Sequence, residues 1–252
     1  MSARSPVLSA TTTPHVLVCI LGIFVAGGVS GATGVALPLI AGPLFLLTYS
    51  PVEAVALTAL CSITGQLFSI ALLRRAIAFE FRVPLLASGL LGVPLGGALL
   101  TRLAPSVVHY GLGALIVLGS AWGLLQPTAR HPRPATVAGE LLVGLTGGLT
   151  AGLVGASAVV PAVWCAWRGL SKEQQRAMMQ PYILAMQLAS LVSLTAWGSL
   201  GAPLLDDYTV VLMPLMIGVG CGVACFHFFS SAMVTRAVLL FVAVSGLVLL
   251  FA

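Results

Sequence analysis

Apolar residues along the chain gather into eight long blocks separated by short polar or proline-containing stretches. The blocks are His15–Leu47, Pro51–Leu73, Val83–Leu100, Ser106–Leu125, Thr136–Trp167, Ala177–Leu200, Tyr208–Phe228 and Met233–Phe251. Six have the length of one membrane crossing, for which a helix needs about 20 residues. The first and fifth, at 33 and 32 residues, do not. They are too long for one ordinary span and too short for two spans with a turn. Both also break near their middles, at Gly31-Ala32-Thr33-Gly34 and within Gly147–Ser157. Splitting each block there leaves arms of roughly 12–15 residues, about 20 Å of helix, which reach only part-way through a bilayer. Two short arms with a glycine-rich tip predict a re-entrant hairpin, whose irregular backbone must be buried in protein or line a cavity.

Loop charges test this independently. If each long block crosses once and the N-terminus is cytoplasmic, six basic residues fall inside and five outside. If both blocks are re-entrant and the N-terminus is external, nine fall inside. Only Arg4 and Arg102 then remain outside, and Asp206 and Asp207 move to external loops. The excess of Lys and Arg on cytoplasmic loops selects the second arrangement. Each half then has one hairpin and three crossings, and an odd number of crossings inverts the second half relative to the first. The expected fold is an all-α polytopic membrane protein of two inverted repeats, each a re-entrant helical hairpin plus three transmembrane helices.

A weak internal repeat agrees with that division. Shifting by 121 positions places Gly31 on Gly152, Gly34 on Gly155, Ser50 on Ser171, Gln66 on Gln187 and Ser69 on Ser190. The expected organisation is an N-terminal tail over 1–14, a first repeat over 15–125, a cytoplasmic linker over 126–135 and a second repeat over 136–252. The linker, Gln126–Ala135, is polar and rich in proline. The tail has one basic residue, Arg4, and no cleavage site follows the first apolar block, so no signal peptide is expected.

Composition agrees with the membrane assignment and removes other classes. Hydrophobic residues make up 59% of the 252 and charged ones only 7%, against roughly a quarter charged in soluble domains. The formal charge of +5 is scattered between apolar blocks rather than clustered, so no nucleic-acid partner is expected. Of the five cysteines, Cys221 and Cys225 share a helix face that could hold a soft metal. With no His or third Cys beside them they read instead as small hydrophobes in helix packing.

The breaks themselves carry the candidate chemistry. The second arm of each hairpin begins near the midplane, at Thr33–Ala36 and Gly155–Ala158. Its first N–H groups lack intrahelical partners and carry the positive end of the helix dipole. Gly31, Gly34, Gly152 and Gly155 would let an anion approach the backbone, while Thr33 and Ser157 add hydroxyls. Two such N-termini converging from opposite sides would bind an anion with no buried Lys or Arg, and no cation is expected near the middle of any block. Thr58, Ser62 and Gln66, spaced at i, i+4, i+8, and Gln180, Gln187 and Ser190 on the later block would line the same cavity. The alternative is structural: glycines for close helix packing and polar groups for interhelical hydrogen bonds. Glu53 and Glu140 lie near block ends and read as solvated interfacial carboxylates, so no central carboxylate marks a proton relay.

These residues resemble the sulfite exporter TauE/SafE type of membrane permease over nearly the whole chain. The resemblance rests on Gly31-Ala32-Thr33-Gly34 leading to Pro38 and on Ser50-Pro51-Val52-Glu53-Ala54-Val55-Ala56-Leu57-Thr58. In the second half it rests on Gly152–Pro161 and Leu170–Ala177. Met178-Met179-Gln180-Pro181 stands where the family commonly has a Thr-Ser pair. The resemblance implies a multi-pass permease of the bacterial cytoplasmic membrane that moves sulfite, an organosulfonate or a related organic anion. It implies no enzyme activity and no cofactor. The expected partners are a small anionic substrate, the lipid bilayer and, as an option, further copies of the chain in a homo-oligomer. Two rival readings are an intramembrane enzyme of the lipid-pyrophosphatase type and a non-transporting membrane subunit. The first needs acidic metal ligands facing a common cavity, and the acids here are few and terminal.

Overall fold

The computed structural model describes residues 13–73, 79–100, 102–125, 134–196 and 202–226, with scattered positions beyond. Among the described residues every regular element is a helix. In order they are α1 (Thr13–Thr33), α2 (Leu37–Leu46), α3 (Pro51–Leu73), α4 (Val83–Leu100), α5 (Pro105–Leu125), α6 (Val137–Val154), α7 (Val159–Arg168), α8 (Lys172–Ala196) and α9 (Ala202–Cys225). Within α3, α4, α8 and α9 lie four segments long and apolar enough to cross a membrane. The expected last block, Met233–Phe251, the linker residues 126–133, and residues 1–12 of the tail fall outside the continuously described stretches.

Helix starts follow local chemistry and repeat between the halves. Pro51 opens α3, where its missing N–H costs nothing. Ser50 N–H and Oγ–H both donate to Glu53 Oε2, at 3.0 and 2.7 Å. At the same offset, Ser171 N–H donates to Gln174 Oε1 at 3.0 Å, and Gln174 N–H returns a bond to Ser171 Oγ. The bonds at Ser171 form a reciprocal capping box, and those at Ser50 tie the Glu53 carboxylate to the start of α3 rather than leaving it free in solvent. Inside α8, Pro181 offers no N–H to Ala177 O; that carbonyl instead accepts from Glu80 N–H at 2.9 Å. Glu140, expected to be solvated, is only 4% exposed and takes Arg82 NH1 at 2.8 Å.

Both over-long blocks divide where the glycines predict. In the first, Gly34, Val35 and Ala36 interrupt the helix; in the second, residues 155–158 do. The arms fold back on each other, because Gly22 faces Leu44 in one hairpin while Gly147 faces Pro161 and Gly139 faces Trp164 in the other. The arms are unequal, which corrects the expected lengths: 21 and 18 residues before the breaks, 10 after each. In the first hairpin, α1 continues outward beyond the level of α2, with Leu17 and Val18 exposed.

Glycine also sets the closest helix contacts. A side chain on Gly31 or Gly222 would run into the backbone across the α1–α9 contact, and one on Gly148 or Gly152 into the backbone of α4. Small residues let helices approach this closely in a membrane, where packing rather than water drives association. The two contacts have the same form: α1 lies parallel to α9, and α6 parallel to α4. Asp206 and Asp207, expected in a loop, belong to the first turns of α9, and Asp207 is buried.

Candidate functional site

Buried polar side chains concentrate on α3 and α8, the third helix of each half. Thr58, Ser62, Gln66 and Ser69 on α3 and Arg176, Gln180, Gln187 and Ser190 on α8 are each no more than 2% exposed. Gln180 Nε2 donates to Gln66 Oε1 at 2.9 Å, Arg176 NH2 bonds Ser69, and Thr58 lies beside Gly155, whose carbonyl Gln187 holds. Contacts therefore climb α3 as they descend α8, so the helices cross antiparallel, with the two hairpin tips against their crossing.

At the first tip Gly34 has φ +80°, a left-handed conformation that glycine adopts without strain. Gln66 Nε2 donates to Gly34 O at 2.8 Å, and Thr33 Oγ1 accepts from Val35 N–H at 3.2 Å. Around this tip the polar groups satisfy one another. Gln180 Nε2 bonds both Gln66 Oε1 and Ser69 Oγ. Arg176 donates from Nε to Gln180 Oε1 at 3.3 Å and from NH1 to Gly31 O at 2.8 Å and Ala32 O at 3.3 Å. Those last two carbonyls belong to the final turn of α1, where a cation meets the negative end of the helix dipole.

The second tip repeats the backbone and not the surroundings. Gly155 has φ +72°, and Gln187 Nε2 donates to Gly155 O at 2.9 Å, the counterpart of the Gln66–Gly34 bond 121 positions earlier. The same amide reaches Ser157 Oγ at 3.5 Å. Four buried polar atoms have no hydrogen-bond partner among the described residues: Thr58 Oγ1 and Gln187 Oε1 at this tip, and Ser62 Oγ and Ser190 Oγ about one turn further along α3 and α8. No side chain caps the N-terminus of α7, nor that of α2. Buried groups of this kind are almost always paired in native proteins, so a cluster of them calls for an occupant.

The expected site residues thus fall into distinct positions. Thr33, Gly34, Gln66 and Gln180 meet at the first tip, and Thr58, Gly155, Ser157 and Gln187 at the second, with Ser62 between them on α3. Gly31 and Gly152 lie one turn before the breaks, against α9 and α4. The tips do not meet at one level. Thr58 and Gln66 mark them on α3 and are eight residues apart, about 12 Å of helix. The expectation of no buried cation is overturned by Arg176, which is fully buried against the first tip. Counted from the apolar blocks it falls among the loop charges, because its block begins only at Ala177. Helical spacing was the available signal, since Arg176, Gln180 and Gln187 lie four and eleven residues apart and share one face. Apolar cavities of about 390 and 430 Å³ are lined by none of Thr58, Ser62, Gln187 and Ser190; the smaller touches Thr33 and the larger Val159 at the start of α7.

Among curated proteins, none matches the chain. The family model described as Sulfite exporter TauE/SafE matches residues 19–249, nearly the full length. With apolar helices over the same stretch, that match settles the class of this polytopic membrane transporter: the chain belongs to the sulfite exporter TauE/SafE family.

Proposed function

We propose that the chain is a permease that moves a small anion of the sulfite or organosulfonate class across the bacterial cytoplasmic membrane, binding it at the α3–α8 crossing. The observation that carries this reading is the set of unpartnered hydroxyls of Thr58, Ser62 and Ser190 near the uncapped start of α7. Each buried, unpaired polar group costs about 1–3 kcal/mol, which favours a ligand that supplies the missing partners. Three hydroxyls that can donate, next to a helix N-terminus, suit an oxyanion.

The two halves are read as inverted repeats with re-entrant hairpins. Supporting this are the antiparallel crossing of α3 and α8, the fold-back of both hairpins and the matched Gln66–Gly34 and Gln187–Gly155 bonds. The start of α8, with Lys172 and Arg176, is assigned to the cytoplasmic side by the positive-inside rule, and the start of α9, with Asp206, to the outside.

The function is tested by flux of labelled sulfite, short alkylsulfonates, carboxylates and inorganic anions into proteoliposomes carrying the purified chain. Saturable movement of sulfite or a sulfonate is expected. If no anion in the panel enters faster than into empty vesicles, the permease reading is wrong. Orientation is tested by labelling single cysteines in a background lacking the native ones. Asp206→Cys should react from outside intact cells and Glu173→Cys only after permeabilisation; reaction of both from one side would rule out inversion.

A further inference from the structure

Arg176 is a buried cation with no carboxylate. Among the described residues its partners are two backbone carbonyls, a serine hydroxyl, a glutamine oxygen and the Phe226 ring, 4.9 Å from its guanidinium carbon. Ion pairs lie elsewhere among the described residues, as at Arg82 with Glu80 and Glu140 and at Lys172 with Glu173. A buried charge is strongly unfavourable unless it is compensated. Neutral side chains could satisfy the same two carbonyls of α1 without that cost.

The repeat sharpens the contrast. The position 121 residues before Arg176 is Val55, whose Cα lies 3.7 Å from where a Cβ on Gly155 would stand. Next to Gly155, then, stand the Thr58 side chain and the Val55 backbone, and no cation is among these nearest contacts. At the first tip the backbone makes room for the arginine instead: a Cβ on Gly34 would lie 2.8 Å from Arg176 Cγ and 3.2 Å from its Nε.

We propose that Arg176 is the counter-charge for the transported anion and selects for anions bearing two or more oxygens on one centre. This rests on the permease reading above. In the present state the carbonyls of Gly31 and Ala32, Ser69 and Gln180 hold the guanidinium fork. An incoming oxyanion takes over part of that fork and neutralises its charge. The planar guanidinium offers paired N–H donors that match a sulfite, sulfonate or carboxylate and that a monatomic halide cannot engage in pairs. Arg176 and Gln187 are eleven residues apart on α8, about 16 Å of helix. The guanidinium and the unpartnered hydroxyls are thus two successive stations, one toward each end of the crossing.

The test compares proteoliposome flux by the full chain with Arg176 intact, Arg176→Lys and Arg176→Gln, measuring KM and maximal rate for sulfite and methanesulfonate and inhibition by chloride. The expected result is a rise in KM of about tenfold for the lysine variant, which keeps the charge and loses the fork, and about a hundredfold for glutamine. Chloride should compete better against both variants than against the unmodified chain. Because KM is read on the transport-competent fraction, poor folding of a variant does not mimic the result. Unchanged KM with only a lower maximal rate would make Arg176 a cap of α1 and overturn this inference alone. Failure of the unmodified chain to move either anion would overturn the permease reading and this inference with it.

Discussion

The two hairpin tips share a backbone solution and differ in what surrounds it. Each turns on a glycine of positive φ, and in each a glutamine 32 residues later donates to that glycine's carbonyl, at 2.8 and 2.9 Å. Around Gly34, Arg176, Gln180, Gln66 and Ser69 close on one another. Around Gly155 stand the Thr58 side chain and the Val55 backbone, and four polar atoms near it have no partner among the described residues. What holds the break in place is the same at both tips, and the side chains facing it differ. One tip is locked by its own hydrogen bonds, and the other keeps its bonding capacity for something else.

The largest effect expected from this contrast comes from the turning glycines. Gly34→Ala and Gly155→Ala both force a left-handed backbone on an L-residue, which costs about 1–2 kcal/mol. At Gly155 the new methyl meets Thr58 Cβ and Cγ2 at 3.3 Å, a contact that a small shift relieves. At Gly34 it must also displace Arg176 from 2.8 Å, and with it a network that spans α1, α3 and α8. Thermal unfolding in detergent should therefore show Gly34→Ala as clearly the less stable variant. Equal melting of the two would mean that Arg176 is not locked in place, and the contrast would lose its first half.

Much of this arrangement is legible in the sequence because it follows from groups with few alternatives. A glycine cluster in the middle of an over-long apolar block marks a break, and Gln66 and Gln187 within apolar blocks need partners wherever they lie. Ser50 with Glu53 and Ser171 with Gln174 announce helix starts by spacing. Arg176 is not legible from composition, because it ends the polar run Lys172-Glu173-Gln174-Gln175-Arg176, which looks like a solvated loop. Only once Ser171 is seen to cap a helix does residue 176 rotate onto the face of Gln180. Asp207 was hidden in the same way, since α9 begins at Ala202, ahead of its apolar block. Arm length is not legible either, because apolar composition does not mark where a helix loses its hairpin partner, and α1 runs on past the end of α2.

A smaller and more discriminating effect separates stability from binding. Gln66→Leu at the locked tip removes the donor to Gly34 O and the acceptor of Gln180 Nε2. Gly34 O loses a partner in a buried setting, while Gln180 retains Ser69. The expected loss is about 1–3 kcal/mol of stability. Thr58→Val at the open tip is nearly isosteric and deletes a hydroxyl that bonds to nothing among the described residues. Replacing an unsatisfied buried polar group with an apolar one of the same shape is neutral or stabilising, so its melting temperature should hold or rise. If the hydroxyl serves the anion, the same variant should raise KM for sulfite several-fold, about 1 kcal/mol of lost binding. The informative result is therefore opposite signs in one protein: lower stability from the first tip, weaker binding without lower stability from the second. Should Thr58→Val melt earlier and leave KM untouched, its hydroxyl would be a structural group, and the open tip would lose its claim on the anion.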